Sequence, residues 1–380
     1  MNPERVSVEG KRAAFAETID SVAFQRERYF PTLDGLRAVS ILLVITWHVD
    51  QRMWWYLSGY TGVLIFFVLS GFLIHTLLLR EEDRSGTVSL KAFYLRRSFR
   101  ILPLYFTVLA MYGVMLRLPM LARQANAFRA ALPYYLTGFN DFAPLAPFNQ
   151  SWSLGVEEKF YLIWPALGFL VLGAKRKWRL PSMALLAAVP LFVGAHGHLG
   201  MFVPYAIIML GCTLGACLDS ARVYGALRRF IGGIGFFLVP AAFLLFHMLL
   251  GFYPDRSRIL FGYLLIGYTV STALLLAWCV MGRSLFHRLL GSRWVRYIGQ
   301  RSYGIYLVHL ICLSIMQRLL PPISPLRTRL LFLATAALSL IVAEVLYRWV
   351  EHPCIALGRR LQDRWLRNKR PQEIISPALK

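Results

Sequence analysis

Two side chains in one apolar stretch, LDGLRAVSILLVITWHVD, pose the first chemical question: Arg37 and His48 stand eleven positions apart. In a helix that spacing is three turns plus ~20°, so both leave one face, ~16 Å apart along the axis. A guanidinium fork holds phosphate or carboxylate oxygens, and a neutral imidazole tolerates burial while taking a proton from a hydroxyl. Asp34, three residues before Arg37, is placed to pair with it and to meet the same ligand. The plainer alternative makes Arg37 a boundary anchor and has His48 bonded to a neighbouring helix, and it explains the same spacing.

Other polar residues interrupt apolar runs where each needs a partner or a purpose. In FYLRRSFRILPLY, Arg97 and Arg100 are i, i+3 neighbours, with Arg96 and Lys91 nearby. Two forks on one face suit a phosphate-rich ligand, although a loop held to anionic lipid is an equally simple account. In SWSLGVEEKFYLIWP, Ser153 is expected to cap a helix whose first turn carries Glu157 and Glu158. The two glutamates point apart. Glu157, Tyr161 and Trp164 share a face, so one carboxylate is expected inside the bundle. Trp152, Ser153 and Tyr161 join Asp34 as candidate substrate contacts. Further on, Ser302, Tyr306 and His309 share one face, as do Glu344, Tyr347 and Glu351, and these read first as glue between helices. SGF at 70–72 reads first as close packing through small residues.

The elements that position these groups are membrane spans. Hydrophobic residues are 57% of 380, far above what a soluble chain of this length carries. Ten apolar runs long enough for a helix to cross ~30 Å of hydrocarbon lie near 38–56, 59–79, 101–117, 155–173, 182–196, 200–218, 231–251, 259–281, 303–320 and 329–349. The stretch 131–140 is too short and polar to span, and is expected to be re-entrant or interfacial. About three quarters of the 42 Lys and Arg fall in alternate loops, which places both termini in the cytoplasm. The fold class is therefore all-α, polytopic, with about ten transmembrane helices. Three regions follow: a cytoplasmic tail over 1–30, the membrane domain over 31–355 and a basic cytoplasmic tail over 356–380. The net charge of +23 is spread among short loops, which argues against a nucleic-acid partner. The first thirty residues lack the apolar core of a cleavable signal, so the first span is expected to be retained. The five cysteines (212, 217, 279, 312 and 354) form no metal knuckle and read as buried thiols; no metal is expected. One long loop, about 118–154, ends in DFAPLAPFNQSWS and is expected to shape an acceptor site near the outer interface.

Taken in order, LDGLRAVSILLVITWH, GVLIFFVLSGFLI, FYLRRSFRILPLY, SWSLGVEEKFYLIWP, GQRSYGIYLVHL and YRWVEHP resemble the acyltransferase-3 family of membrane O-acyltransferases. The resemblance covers about residues 30–355. The family's basic residue, ten intervening positions and histidine fall on Arg37 and His48, and its double arginine on Arg97 and Arg100. A glycine and a lysine in SLGVEEKF replace the serine and glutamine frequent in the family, and both glutamates stay.

What the resemblance implies is a multi-pass enzyme of the bacterial inner membrane with a ten-helix core. It would move an acyl group, usually acetyl, from cytoplasmic acyl-CoA to a hydroxyl of a glycan, a lipid-linked glycan or another large acceptor. Some relatives carry a C-terminal hydrolase-like domain; none is seen in this sequence, so the membrane unit is expected to complete the transfer. Arg37, Arg97 and Arg100 would hold coenzyme A, with His48 as base or acyl carrier and Glu157 or Glu158 orienting imidazole or acceptor from the outer side. Acylation of a macrolide or other secondary metabolite fits the same site. From other classes, a transporter or flippase would also carry buried Arg, His and Glu. A second polytopic type of O-acyltransferase would use a late histidine, here His309. Acceptor, acyl length and oligomeric state are not written in the sequence.

Overall fold

A computed structural model describes residues 22–27, 29–118, 122–172, 176–196, 200–252, 258–320 and 327–369. Most of the tail expected over 1–30, and the end of that over 356–380, lie outside the described residues. Among them every regular element is helical. α1 (Pro31–Val49), α2 (Thr61–Ser85) and α3 (Leu90–Met115) carry the first three expected spans. α4 (Ala122–Thr137) takes up most of the stretch expected to be re-entrant. α5 (Trp152–Ala166) runs on through a π turn (Leu167–Val171), followed by α6 (Arg176–Ala195), α7 (Val203–Asp219), the short α8 (Ala221–Gly232), α9 (Gly235–Phe252) and α10 (Arg258–Met281). Two short helices, α11 (Leu285–Leu290) and α12 (Arg293–Gln300), lead into α13 (Ser302–Leu319) and α14 (Arg327–Leu346). A second π turn (Tyr347–Glu351) joins α14 to α15 (His352–Lys369).

Seven helices among the described residues are long and apolar enough to cross a membrane, or eight if the bent pair α7–α8 is one span. The other two expected spans lie on α5 and α13, which the reactive side chains make more polar: Glu157, Glu158 and Lys159 on one, His309 and Arg318 on the other. Large apolar side chains stay exposed along the helices, among them Val114, Leu162, Phe237, Leu245, Leu333 and Ile341. In water such a surface would aggregate; in lipid it is the solvent-facing side. This is an all-α, multi-pass membrane protein.

Backbone contact through glycine sets the tightest helix pair. A Cβ at Gly71 on α2 would strike the carbonyl of Ile208 on α7, and one at Gly211 would strike that of Val68. Cys212 Sγ sits 3.3 Å from Gly71 O. The small residues of SGF therefore do pack helices closely, at Gly71. The N-terminal end of α1 is clasped likewise: a Cβ at Gly35 would meet Leu290 O, and one at Gly299 would meet Asp34 O.

The chain between α4 and α5 turns into the bundle instead of staying at its surface. Asn140, Gln150 and Ser151 are buried there. Phe148, in the left-handed region at φ 74°, sits in a box of Tyr105, Tyr112 and Tyr135 with ring centroids 5.3, 5.1 and 5.5 Å away. Gln150 Nε2 donates to Tyr112 OH (3.0 Å) and to Leu307 O (3.1 Å). Leu307 lies twelve residues short of the far end of α13, ~18 Å at 1.5 Å per residue. α5 thus begins deep in the bundle, and its glutamates lie closer to the arginine-bearing end than an outer-surface start would place them.

Candidate active site

α1, α2, α3, α5, α12 and α13, with the second π turn, enclose a pocket of about 930 Å³ counting its open mouth. Arg37, Arg97 and Arg100 all line it. Arg37 meets Arg97 and Arg100, about sixty positions away in sequence, because the N-terminal parts of α1 and α3 flank one cleft. Arg97 stacks 5.0 Å over the Tyr161 ring and 5.8 Å over Phe93. Arg37 Nη1 reaches Asp34 Oδ1 at 3.4 Å. Arg96 turns away to Glu81 (2.9 Å) and is not part of the lining.

The two adjacent glutamates diverge. Glu157 lines the pocket beside Ser70 and Tyr161, with Arg97 and Arg37 as its cationic neighbours. Ser70 Oγ and Tyr161 OH are hydrogen-bonded to each other. Glu158 points the other way, toward Gly138, and its buried Oε1 has no hydrogen-bond partner. Neither carboxylate is among the contacts of an imidazole. Of the expectation that one of them orients imidazole or acceptor, the structure gives the placement alone: the inward start of α5 carries Glu157 to the arginines.

Along α13, Ser302, Tyr303 and Tyr306 line the pocket, and one turn further stands His309. Its ring is 5.8 Å from that of Tyr306 and 4.9 Å, edge-on, from that of His48. His309 Nδ1 lies 2.7 Å from Tyr306 O, and His48 Nδ1 lies 2.8 Å from Val44 O. A carbonyl only accepts, so each Nδ1 carries the hydrogen and each Nε2 keeps a basic lone pair. His48 is not in the pocket lining; it stands behind Tyr306 and His309 as seen from the arginines. Beyond the cationic pocket and its Tyr306 wall stand two imidazoles that each keep a basic lone pair, groups fit to hold an anionic tail and deprotonate a hydroxyl.

Comparison with known proteins decides the family. A profile described as "Acyltransferase domain", of the acyltransferase-3 type, matches residues 30–348. The chain belongs to the acyltransferase-3 family. It is 26% identical over 356 residues to the peptidoglycan O-acetyltransferase OatA of Listeria monocytogenes, covering 86% of this chain and 56% of that protein. It is 29% identical over 374 residues to a putative peptidoglycan O-acetyltransferase, YrhL, of Bacillus subtilis, covering 88% and 56%. A putative O-acetyltransferase of Staphylococcus aureus is 27% identical over 363 residues, covering 87% and 58%. The chain spans a little over half the length of these curated relatives. No solved structure matches it.

Several residues of this acyltransferase take places that spacing alone does not give. Asp34 is not in the lining; it accepts from Tyr29 OH (2.7 Å) and Gln300 Nε2 (3.2 Å) as well as from Arg37, and so braces that guanidinium. Trp152 packs edge-on to Phe67 at 5.9 Å, outside the lining. Ser153 does not cap: α5 starts two residues earlier than such a cap requires, with Ser151 at the N-cap position, and Ser153 Oγ bonds Tyr306 OH at 2.7 Å inside the pocket. Glu344 is the expected glue, taken by Arg301 (2.8 Å) and Arg348 (2.5 Å). Glu351 is not: the π turn, with more residues per turn than an α-helix, carries it off the face of Glu344 and into the pocket. Among the described residues no group of three or more His, Cys, Asp or Glu is placed to hold a metal.

Proposed function

We propose that this acyltransferase moves an acetyl group from acetyl-CoA to a hydroxyl of an envelope glycan of the peptidoglycan type, across the bacterial cytoplasmic membrane, with His48 as the base. What supports the reading is a set of three pocket-lining guanidiniums with a half-buried imidazole beyond them, whose Nδ1 is bound to Val44 O so that Nε2 keeps its lone pair. The pantetheine arm is ~15–20 Å long by covalent geometry, and the Arg37–His48 offset is ~16 Å by helix rise. Coenzyme A phosphates would lie on Arg97, Arg100 and Arg37, leaving the thioester within the bundle. Glu157 and Glu351 stand among these guanidiniums and line the same pocket. His48 takes the hydroxyl proton as the oxygen adds to the thioester carbonyl, and the thiol leaves toward the cytoplasm. The acceptor class follows the peptidoglycan O-acetyltransferases to which the chain is similar.

The test uses full-length protein in lipid nanodiscs with radiolabelled acetyl-CoA and soluble peptidoglycan fragments. Ester formation on the glycan, read by mass spectrometry, and its loss by at least ~100-fold in His48→Ala are expected. Transfer that persists in His48→Ala would overturn the assignment. Rapid quenching without acceptor distinguishes direct transfer, with no labelled protein, from an acyl-histidine.

A further inference from the structure

We propose that His309 is a second proton carrier of the transfer, acting with His48 as a pair that shares one proton. The proposal rests on the acyl-transfer reading and adds a residue to its machinery. His309 is 0% exposed, on a helix that lines the pocket one turn below it. Its Nδ1–H is spent on Tyr306 O at 2.7 Å, and its Nε2 has no hydrogen-bond partner. A histidine that only glues helices would use both nitrogens, and a leucine would fill the same space without stranding a buried acceptor. What the vacant Nε2 lacks is a donated proton.

The neighbour is the second half of the case. The His48 ring stands 4.9 Å away, edge-on, and its Nδ1 is also bound to a main-chain carbonyl. Two rings that each keep a lone pair cannot bond one another directly. With one proton added they can, through a shared N–H···N bond or a hydroxyl between them. Acyl transfer supplies that proton for part of its cycle. The acceptor O–H breaks and its proton passes to Nε2 of one ring as the oxygen bonds to the thioester carbonyl carbon. The C–S bond then breaks, and the proton held by the pair goes to the departing thiolate. Alcohol and thioester become ester and thiol, and both imidazoles end neutral. Position divides the work: His309 adjoins Tyr306, which lines the donor pocket, and His48 lies beyond it.

The experiment is steady-state release of coenzyme A thiol by the nanodisc-held full chain, with acetyl-CoA and soluble peptidoglycan fragments, in wild type, His48→Gln, His309→Gln and the double variant. His309→Asn is measured alongside, so that a second variant with an intact melting transition carries the comparison. Expected for His309→Gln is a kcat loss of about 100-fold, the scale of one acid–base group, with the acetyl-CoA KM within about 3-fold. The double variant should be no slower than the slower single one, because the pair works as a unit. Wild-type rates in either folded His309 variant, a change confined to KM, or losses that multiply in the double variant would overturn the proposal. If His48→Gln is inactive while His309→Gln is unimpaired, this inference alone falls. No thiol release by the wild-type protein would bring down the functional reading and this inference with it.

Discussion

At Arg97, charge is only part of the chemistry. The guanidinium plane stacks on Tyr161 and Phe93, so its fork is oriented before any ligand arrives. Arg97→Lys keeps the charge and loses the plane; the acetyl-CoA KM should rise about 10-fold or more with kcat little changed, in steady-state kinetics of thiol release. The clasp at Asp34 predicts a pH effect. Burial first, and then the Asp34 carboxylate, push the Tyr29 phenol above its ordinary value, so it stays a donor. A raised phenol helps the fold fully below its unfolded value near 10, and that help is lost as pH climbs through the raised value. Melting curves should therefore fall more steeply above pH 10 for wild type than for Tyr29→Phe.

Elements decide which of these residues meet, and here sequence and structure diverge in instructive ways. The ten apolar runs were readable because hydrocarbon thickness fixes their length, and Arg37, Arg97, Arg100 and Tyr161 line one pocket as their spacing and order suggested. Helical counting failed at Glu351, because no residue pattern announces the π turn that rotates it. It failed at Ser153 too, because the inward fold of the preceding segment depends on Asn140 and Gln150 finding Tyr105, Tyr112 and Leu307 across the bundle. His309 was visible as a buried histidine; its ring partner, on a helix far away in sequence, was not. The glycine contact between α2 and α7 gives an element-level test. Gly211→Val should overpack that seam by about 1–3 kcal/mol. The melting midpoint should drop, as read by thermal unfolding of the reconstituted protein.

For the molecule as a whole, the sharpest division is between an enzyme that binds a nucleotide thioester and a carrier that does not. Coenzyme A at 100 times its Kd should stabilise the reconstituted protein by about 2.7 kcal/mol, seen as a rise in melting midpoint that Arg97→Ala abolishes. A transporter of unrelated cargo would show no rise. One further consequence follows from the pairing of His48 and His309 and from the seating of Gly299 on Asp34. The first helix leaves the ribosome long before its partners exist: ~260 residues, or tens of seconds at ~5–20 residues per second, separate the two histidines in synthesis. Throughout that interval Asp34 lacks Gln300 and His48 lacks the His309 ring. The nascent opening segment must therefore be sheltered by insertion machinery or linger at the headgroups, and its final seating belongs among the last events of biogenesis.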